Sequence, residues 1–93
     1  GNYRVLSNRE TGLGRADLVL KTPRIRKGRA IVFELKAVKS LQELEKGCEA
    51  ALRQIEEKKY QEELRQEGYE NILAYGICFY RKECAVAIQE DVR

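Results

Sequence analysis

Ninety-three residues, 43% hydrophobic and 35% charged, suit one domain with one core, near the small end of chains that fold unaided. No apolar run nears the roughly 20 residues of a bilayer-spanning helix, and no secretory leader pattern is present. With no histidine and no Cys-x-x-Cys pair, serine–histidine and cysteine–histidine catalysis and a structural zinc site fall away, leaving Lys, Glu, Asp or Tyr as any general base.

In chain order, Tyr3–Ser7 reads as a first strand, and Asn8-Arg9-Glu10-Thr11-Gly12 has turn chemistry. Ala16–Lys21 is a second strand. Thr22-Pro23 opens a basic loop that ends at Gly28, the proline excluding a strand through it. Ala30–Val38 is the clearest strand. Its odd positions, Ile31, Phe33, Leu35 and Ala37, form an unbroken apolar face. Its even face is apolar at both ends, Val32 and Val38, and charged in the middle, Glu34 and Lys36. Ser40 with Glu43 three residues later fits a capping box for a long helix that stops at Gly68. Leu41, Leu44, Cys48, Ala51, Leu52 and Ile55 mark its apolar stripe, which continues less cleanly through Tyr60 and Leu64. Gly47 reads as a point of close packing on the sheet. Ile72–Tyr80, apolar on both faces, is an interior strand. Arg81-Lys82-Glu83 is a turn and Cys84–Gln89 the last strand. Strand, helix, strand is a crossover unit, so the third and fourth strands should be parallel neighbours. The expected fold is α/β: a mixed sheet of about five strands with one long helix on a face, and the other face in need of cover.

The chemistry gathers at two places. Asp17 ends the stretch Gly14-Arg15-Ala16-Asp17, and Glu34 and Lys36 stand two apart on the next strand. Paired as a hairpin, the two strands bring two carboxylates and an ammonium together. Two carboxylates can hold a hard divalent cation, and a lysine beside it can orient or deprotonate a water. That suits phosphodiester cleavage. The charge distribution agrees. Residues 1–40 carry ten Lys/Arg against three Asp/Glu, a balance of +7, whereas residues 41–93 carry eight against twelve, a balance of −4. A basic half around an acidic pocket fits a polyanionic substrate. Cys48 and Cys78 read as core and Cys84 as partly exposed. An odd cysteine count without a leader favours free thiols in a reducing, cytoplasmic setting.

These residues resemble the PD-(D/E)XK nuclease superfamily: Asp17 at a strand, Glu34-Leu35-Lys36 on the next, then a helix bearing Gln54. Three further blocks, residues 7–17 (SNRETGLGRAD), Gln54-Ile55-Glu56-Glu57-Lys58-Lys59-Tyr60 and Tyr75-Gly76-Ile77, resemble one branch of it. That branch is the nuclease-like domain C-terminal to bacterial AAA-ATPase-like proteins. The resemblance implies a restriction-endonuclease-like αβββαβ core and metal-dependent hydrolysis, with Mg2+ or Mn2+ as cofactor. By position, Asp17 and Glu34 would be metal ligands, the main-chain carbonyl of Leu35 a third oxygen, and Lys36 the residue that positions the attacking water. Gln54 would orient water or contact the substrate backbone. Many members carry another acid on a helix before the first strand. This sequence starts at that strand, without the helix; Glu10 is the candidate stand-in, and the competing reading, which weighs more, is a turn glutamate in solvent. Expected nucleic-acid contacts are Arg15, Arg24, Arg26, Lys27, Lys58 and Tyr60.

The chain begins with Gly and contains no Met, so residues 1–93 read as a single domain excised from a larger protein. Its expected partners are nucleic acid, preferably DNA, the ATPase-like domain of the parent chain, and a second copy as a homodimer; the bare sheet face would be covered by a segment upstream of Asn2 or, alternatively, by that partner chain, and no membrane partner is expected. Intact Asp17, Glu34 and Lys36 favour a nuclease. The alternatives are a catalytically silent nucleic-acid-binding module and a protein-interaction module attached to an ATPase.

Overall fold

A computed structural model describes residues 4–7, 18–22 and 28–92. Its strands are β1 (Arg4–Ser7), β2 (Leu18–Lys21), β3 (Arg29–Ala37), β4 (Asn71–Tyr80) and β5 (Glu83–Val92), and its helices are α1 (Leu44–Glu57) and α2 (Tyr60–Glu67). The strands lie side by side in chain order. β1, β2 and β3 form an antiparallel meander, β3 and β4 run parallel with both helices between them in the chain, and β4 and β5 form an antiparallel hairpin. The expected α/β mixed sheet is therefore present. Among the described residues no helix is long and apolar enough to cross a membrane.

The helices cover the even face of β3. Ala30, Val32 and Glu34 are buried there, in line with Ile72, Ala74, Gly76 and Cys78 of β4. One apolar cluster gathers Val19, Val32, Ile55, Tyr60, Leu64 and Ile72 with their neighbours. A second joins Leu44, Cys48 and Cys78, with Val38, Tyr80, Ala85 and Ala87 packed against it. The odd face, which reads as the more apolar in sequence, is the open one. Leu35, Phe79, Val86 and Ile88 on it are 45%, 41%, 47% and 59% exposed. Phe33 and Tyr75 stack across that face with ring centroids 5.2 Å apart.

Two glycines set how closely α1 lies on the sheet. A Cβ on Gly47 would stand 2.3 Å from Cys78 Sγ, and one on Gly76 would stand 2.2 Å from the Cys48 carbonyl oxygen. The expectation of close packing at Gly47 is met, with Gly76 as its counterpart in the strand.

The long helix expected over 40–68 is broken. Leu41–Glu43 form a 3-10 turn, Leu41 is exposed, and the Ser40 side chain makes no capping hydrogen bond. The Glu43 N–H donates to the Ser40 carbonyl instead, so a tight backbone turn takes the place of the capping box. At Lys59 the backbone enters the left-handed region, φ 60° and ψ 30°, and α2 starts afresh at Tyr60. The reason is helical phase. On an unbroken helix, Tyr60 and Leu64 would sit about 140° and about 180° round from Ile55, facing away from the sheet. The kink lets Ile55, Tyr60 and Leu64 enter one core together. Lys59→Gly is expected to stabilise the fold by about 1 kcal/mol, because a Cβ is disfavoured at positive φ. Chemical denaturation would read this, and a lower midpoint for the variant would refute it.

α2 ends as expected at Gly68, φ 112°, with Gly68 N–H donating to Arg65 and Tyr69 N–H to Leu64. Its C-terminal end is tied back to the sheet. Lys21 Nζ lies 2.7 Å from Glu67 Oε1, and Arg65 pairs with Asp91. The Tyr69 hydroxyl donates to the Thr22 carbonyl at 2.8 Å. The Thr22 N–H donates to the Arg29 carbonyl and the Arg29 N–H to Thr22 Oγ1, both at 3.0 Å, fixing the neck of the basic loop.

Candidate active site

Strand alternation sets the site. Along the helix-covered face of β3 the side chains run Ala30, Val32, Glu34, Lys36. Glu34 is 5% exposed and lies opposite Gly76; Lys36 is half-buried and lies opposite Cys78. Glu34 falls between the two apolar clusters, one built on Val32 and Ile72, the other on Cys78 and Val38. Gly76 makes this possible. Lacking a side chain, it lets the α1 backbone descend over β4, and Ala51 and Leu52 come down beside the Glu34 level. Taking an ionised carboxylate out of water costs several kcal/mol before partners compensate. Glu34 therefore stands where a packing-driven sequence would place an apolar residue.

The hairpin on which the acid pair depends is present. β2 and β3 are antiparallel, with Leu18 opposite Phe33 and Val19 opposite Val32. Leu18 is the residue after Asp17, and Phe33 is the residue before Glu34. Asp17 itself lies outside the described residues, as do Glu10, Arg15, Arg24, Arg26 and Lys27.

Gln54 is half-buried on α1, next to the core residue Ile55. Leu35 directs its side chain to the opposite, open face, while its main chain pairs with Ile77 in the parallel ladder. Lys58, half-buried, sits in the turn between α1 and α2. Tyr60 corrects an expectation. It is 1% exposed and packed in the main cluster, so it serves the core and presents no surface to a nucleic acid. The kink at Lys59 turns it inward.

Cys48 and Cys78 are buried and Cys84 is exposed, all as free thiols. Desolvation, with Glu49 and then Cys78 adding to it, pushes the Cys48 thiol above its ordinary pKa, so it is a poor nucleophile. Among the described residues no group of three or more His, Cys, Asp or Glu side chains is placed to hold a metal ion. Glu34 supplies one hard oxygen donor of the kind that magnesium or manganese takes. Further oxygens, from another carboxylate, a main-chain carbonyl, water or a phosphate, would complete such a set.

The role of Gly76 escapes a reading by periodicity. Its signal is nonetheless in the chain, because a glycine inside an otherwise apolar interior strand marks the close approach of another backbone.

The PD-(D/E)XK nuclease superfamily model matches residues 1–89, nearly the whole chain. The chain belongs to this superfamily. The match spans both the β2–β3 hairpin and the strand that carries Gly76, so Glu34, Lys36 and the glycine opposite Glu34 fall inside it. No curated protein and no solved structure shows significant similarity to the chain.

Proposed function

We propose that this domain is a metal-dependent nuclease that hydrolyses phosphodiester bonds, with DNA as the preferred substrate. The single observation that carries the reading is Glu34, a buried acid with Lys36 next along the same face, in a chain of the PD-(D/E)XK superfamily. On this reading the meander, the crossover helix α1 and the parallel strand β4 are the restriction-endonuclease-like core. Asp17 and Glu34 are the acidic ligands, the Leu35 carbonyl is an additional oxygen, and Glu10 is a further candidate from the preceding turn. The β2–β3 register supports this assignment, since it leads along β2 towards Asp17 and along β3 towards Glu34.

Oxygen donors of this kind suit Mg2+ or Mn2+. The chemistry such a cation supplies when bound is polarisation of a phosphoryl oxygen and acidification of water. The chain supplies the rest. Lys36, a compact ammonium on a rigid strand, orients the attacking water and offsets negative charge that develops at phosphorus. Gln54, half-buried on α1, directs its amide to water or to the substrate backbone. α1 shields Glu34 from bulk solvent, which strengthens electrostatic interactions at the site. Arg15, Arg24, Arg26, Lys27 and Lys58 attract the substrate backbone, giving binding that weakens with salt.

Calorimetric titration with MgCl2 or MnCl2 tests the ligand set. The wild-type chain is expected to give a saturable heat that vanishes in Asp17→Ala and in Glu34→Gln. The same heat in all three proteins would remove these acids from the site.

A further inference from the structure

The turn between β4 and β5 runs through Arg81 and Lys82, with Tyr80 pairing with Glu83 across it. Arg81 has φ 52°, in the left-handed region where glycine, asparagine or aspartate is the usual occupant. An arginine at this position is locally unfavourable. The guanidinium carbon lies 5.2 Å from the centroid of the Tyr80 ring, a cation–π arrangement that orients it. Tyr80 packs against the cluster of Leu44, Cys48 and Cys78, on the helix-covered side of the sheet. Arg81 is therefore held towards the same face as Glu34 and Lys36.

The register brings the other cations to this end. Lys36 lies opposite Cys78, three residues before Arg81 along the chain. The Val38 N–H donates to the Phe79 carbonyl at 2.9 Å, so β3 stays zipped to β4 almost to the hairpin tip. Exposed Lys39 follows Val38 in the chain, and Arg81 and Lys82, also exposed, follow Tyr80. Glu43 and Glu83 are the exposed acids nearest to them in sequence. The solvent face of α1 is the opposite case, with Glu45, Glu49, Glu56 and Glu57 against Lys46 and Arg53. A polyanion leaving the Glu34 level is repelled by the helix and drawn to the sheet end. From Gly76 to Tyr80 along β4 is about 13 Å, close to the axial rise of about four nucleotides of duplex.

We infer that the β4–β5 hairpin tip, Arg81 with Lys82, is a phosphate clamp that holds the nucleic-acid backbone a few nucleotides from the site at Glu34. Its substrate class rests on the nuclease reading above. Arg81 is the clamp's fixed point and Lys82 its exposed second charge.

The test uses Arg81→Gly and Arg81→Gly/Lys82→Ser in the full chain. Binding to a fluorescent DNA duplex is measured in EDTA across a salt series, and nicking is measured separately in MgCl2. Removing one cation from a phosphate is expected to lower the slope of log affinity against log salt by about 1, so the double variant should fall by about 2. The thermal midpoint of Arg81→Gly should not fall, because glycine relieves the backbone, so unfolding cannot explain weaker binding. An unchanged slope and affinity in the double variant would reduce the tip to a solvated turn, even if the wild type nicks DNA. A shallower slope in the double variant with no nicking by the wild type supports the clamp and overturns the nuclease reading. A wild type that binds no DNA overturns the clamp, and its nicking assay then decides the nuclease reading alone.

Discussion

Lys36→Ala is expected to lower plasmid nicking in magnesium or manganese by about 10²- to 10³-fold, the usual worth of one donor aimed at developing charge. The fold should survive, since Lys36 is half-buried and outside both apolar clusters. The effect is large because of where the lysine stands. Its strand is held in register by β4 from Arg29↔Asn71 to Ala37↔Phe79, so its ammonium starts from a fixed backbone. Among the described residues the β2 ladder ends at Leu18↔Phe33, short of Lys36. DNA affinity in EDTA should fall far less than the nicking rate, which separates a role in chemistry from one in electrostatic attraction. Lys36→Arg keeps the charge but replaces a compact ammonium with a planar fork, and should recover only part of the rate. Equal residual nicking in wild type and Lys36→Ala would sink the catalytic assignment.

How much of this was legible in the sequence depended on the distance over which each feature is decided. Strands β3 and β4 could be placed because alternation and a continuous apolar run are local signals. Gly68 could be placed as a stop because a helix end needs a residue that tolerates positive φ, and the chain there ends its periodicity. The break at Lys59 was not legible. It is decided by where Tyr60 and Leu64 must point relative to Ile55, a tertiary demand that overrides good helix formers on both sides. Which face of β3 is covered was also hidden. Its odd side is the more apolar, yet α1 lies on the side that carries Glu34. Gly47 and Gly76 settle that choice, because they let the helix backbone settle on that face alone. In the candidate site, the pairing of Glu34 with Lys36 followed from a period of two. The burial of Glu34 did not, because it depends on Ala51 and Leu52 of α1, seventeen and eighteen residues further on.

Gly76→Ala should be among the most damaging single-methyl changes in this domain. The added Cβ would stand 2.2 Å from the Cys48 carbonyl oxygen and 2.8 Å from the Leu52 nitrogen, both main-chain atoms of α1. Neither can rotate away, so the helix must lift or β4 must sink. Overpacking of this kind reaches about 3 kcal/mol, a large part of the roughly 5–15 kcal/mol that holds a domain together. The thermal midpoint should drop by roughly 10–20 °C. Gly47→Ala is the control. Its nearest obstacles are the side-chain atoms Cys78 Sγ at 2.3 Å and Val38 Cγ1 at 3.0 Å, and alanine recovers about 1 kcal/mol of helix propensity. It should therefore cost less, and Gly47→Ala/Cys78→Ala should restore part of that loss. If Gly76→Ala melted within two or three degrees of wild type, α1 would not be seated on β4 as described. Because Gly76 lies opposite Glu34, the same change bears on the site. A lifted α1 admits water beside the carboxylate, so nicking by Gly76→Ala should fall even well below its own melting temperature, whereas Gly47→Ala, a turn away, should lose activity only as it unfolds.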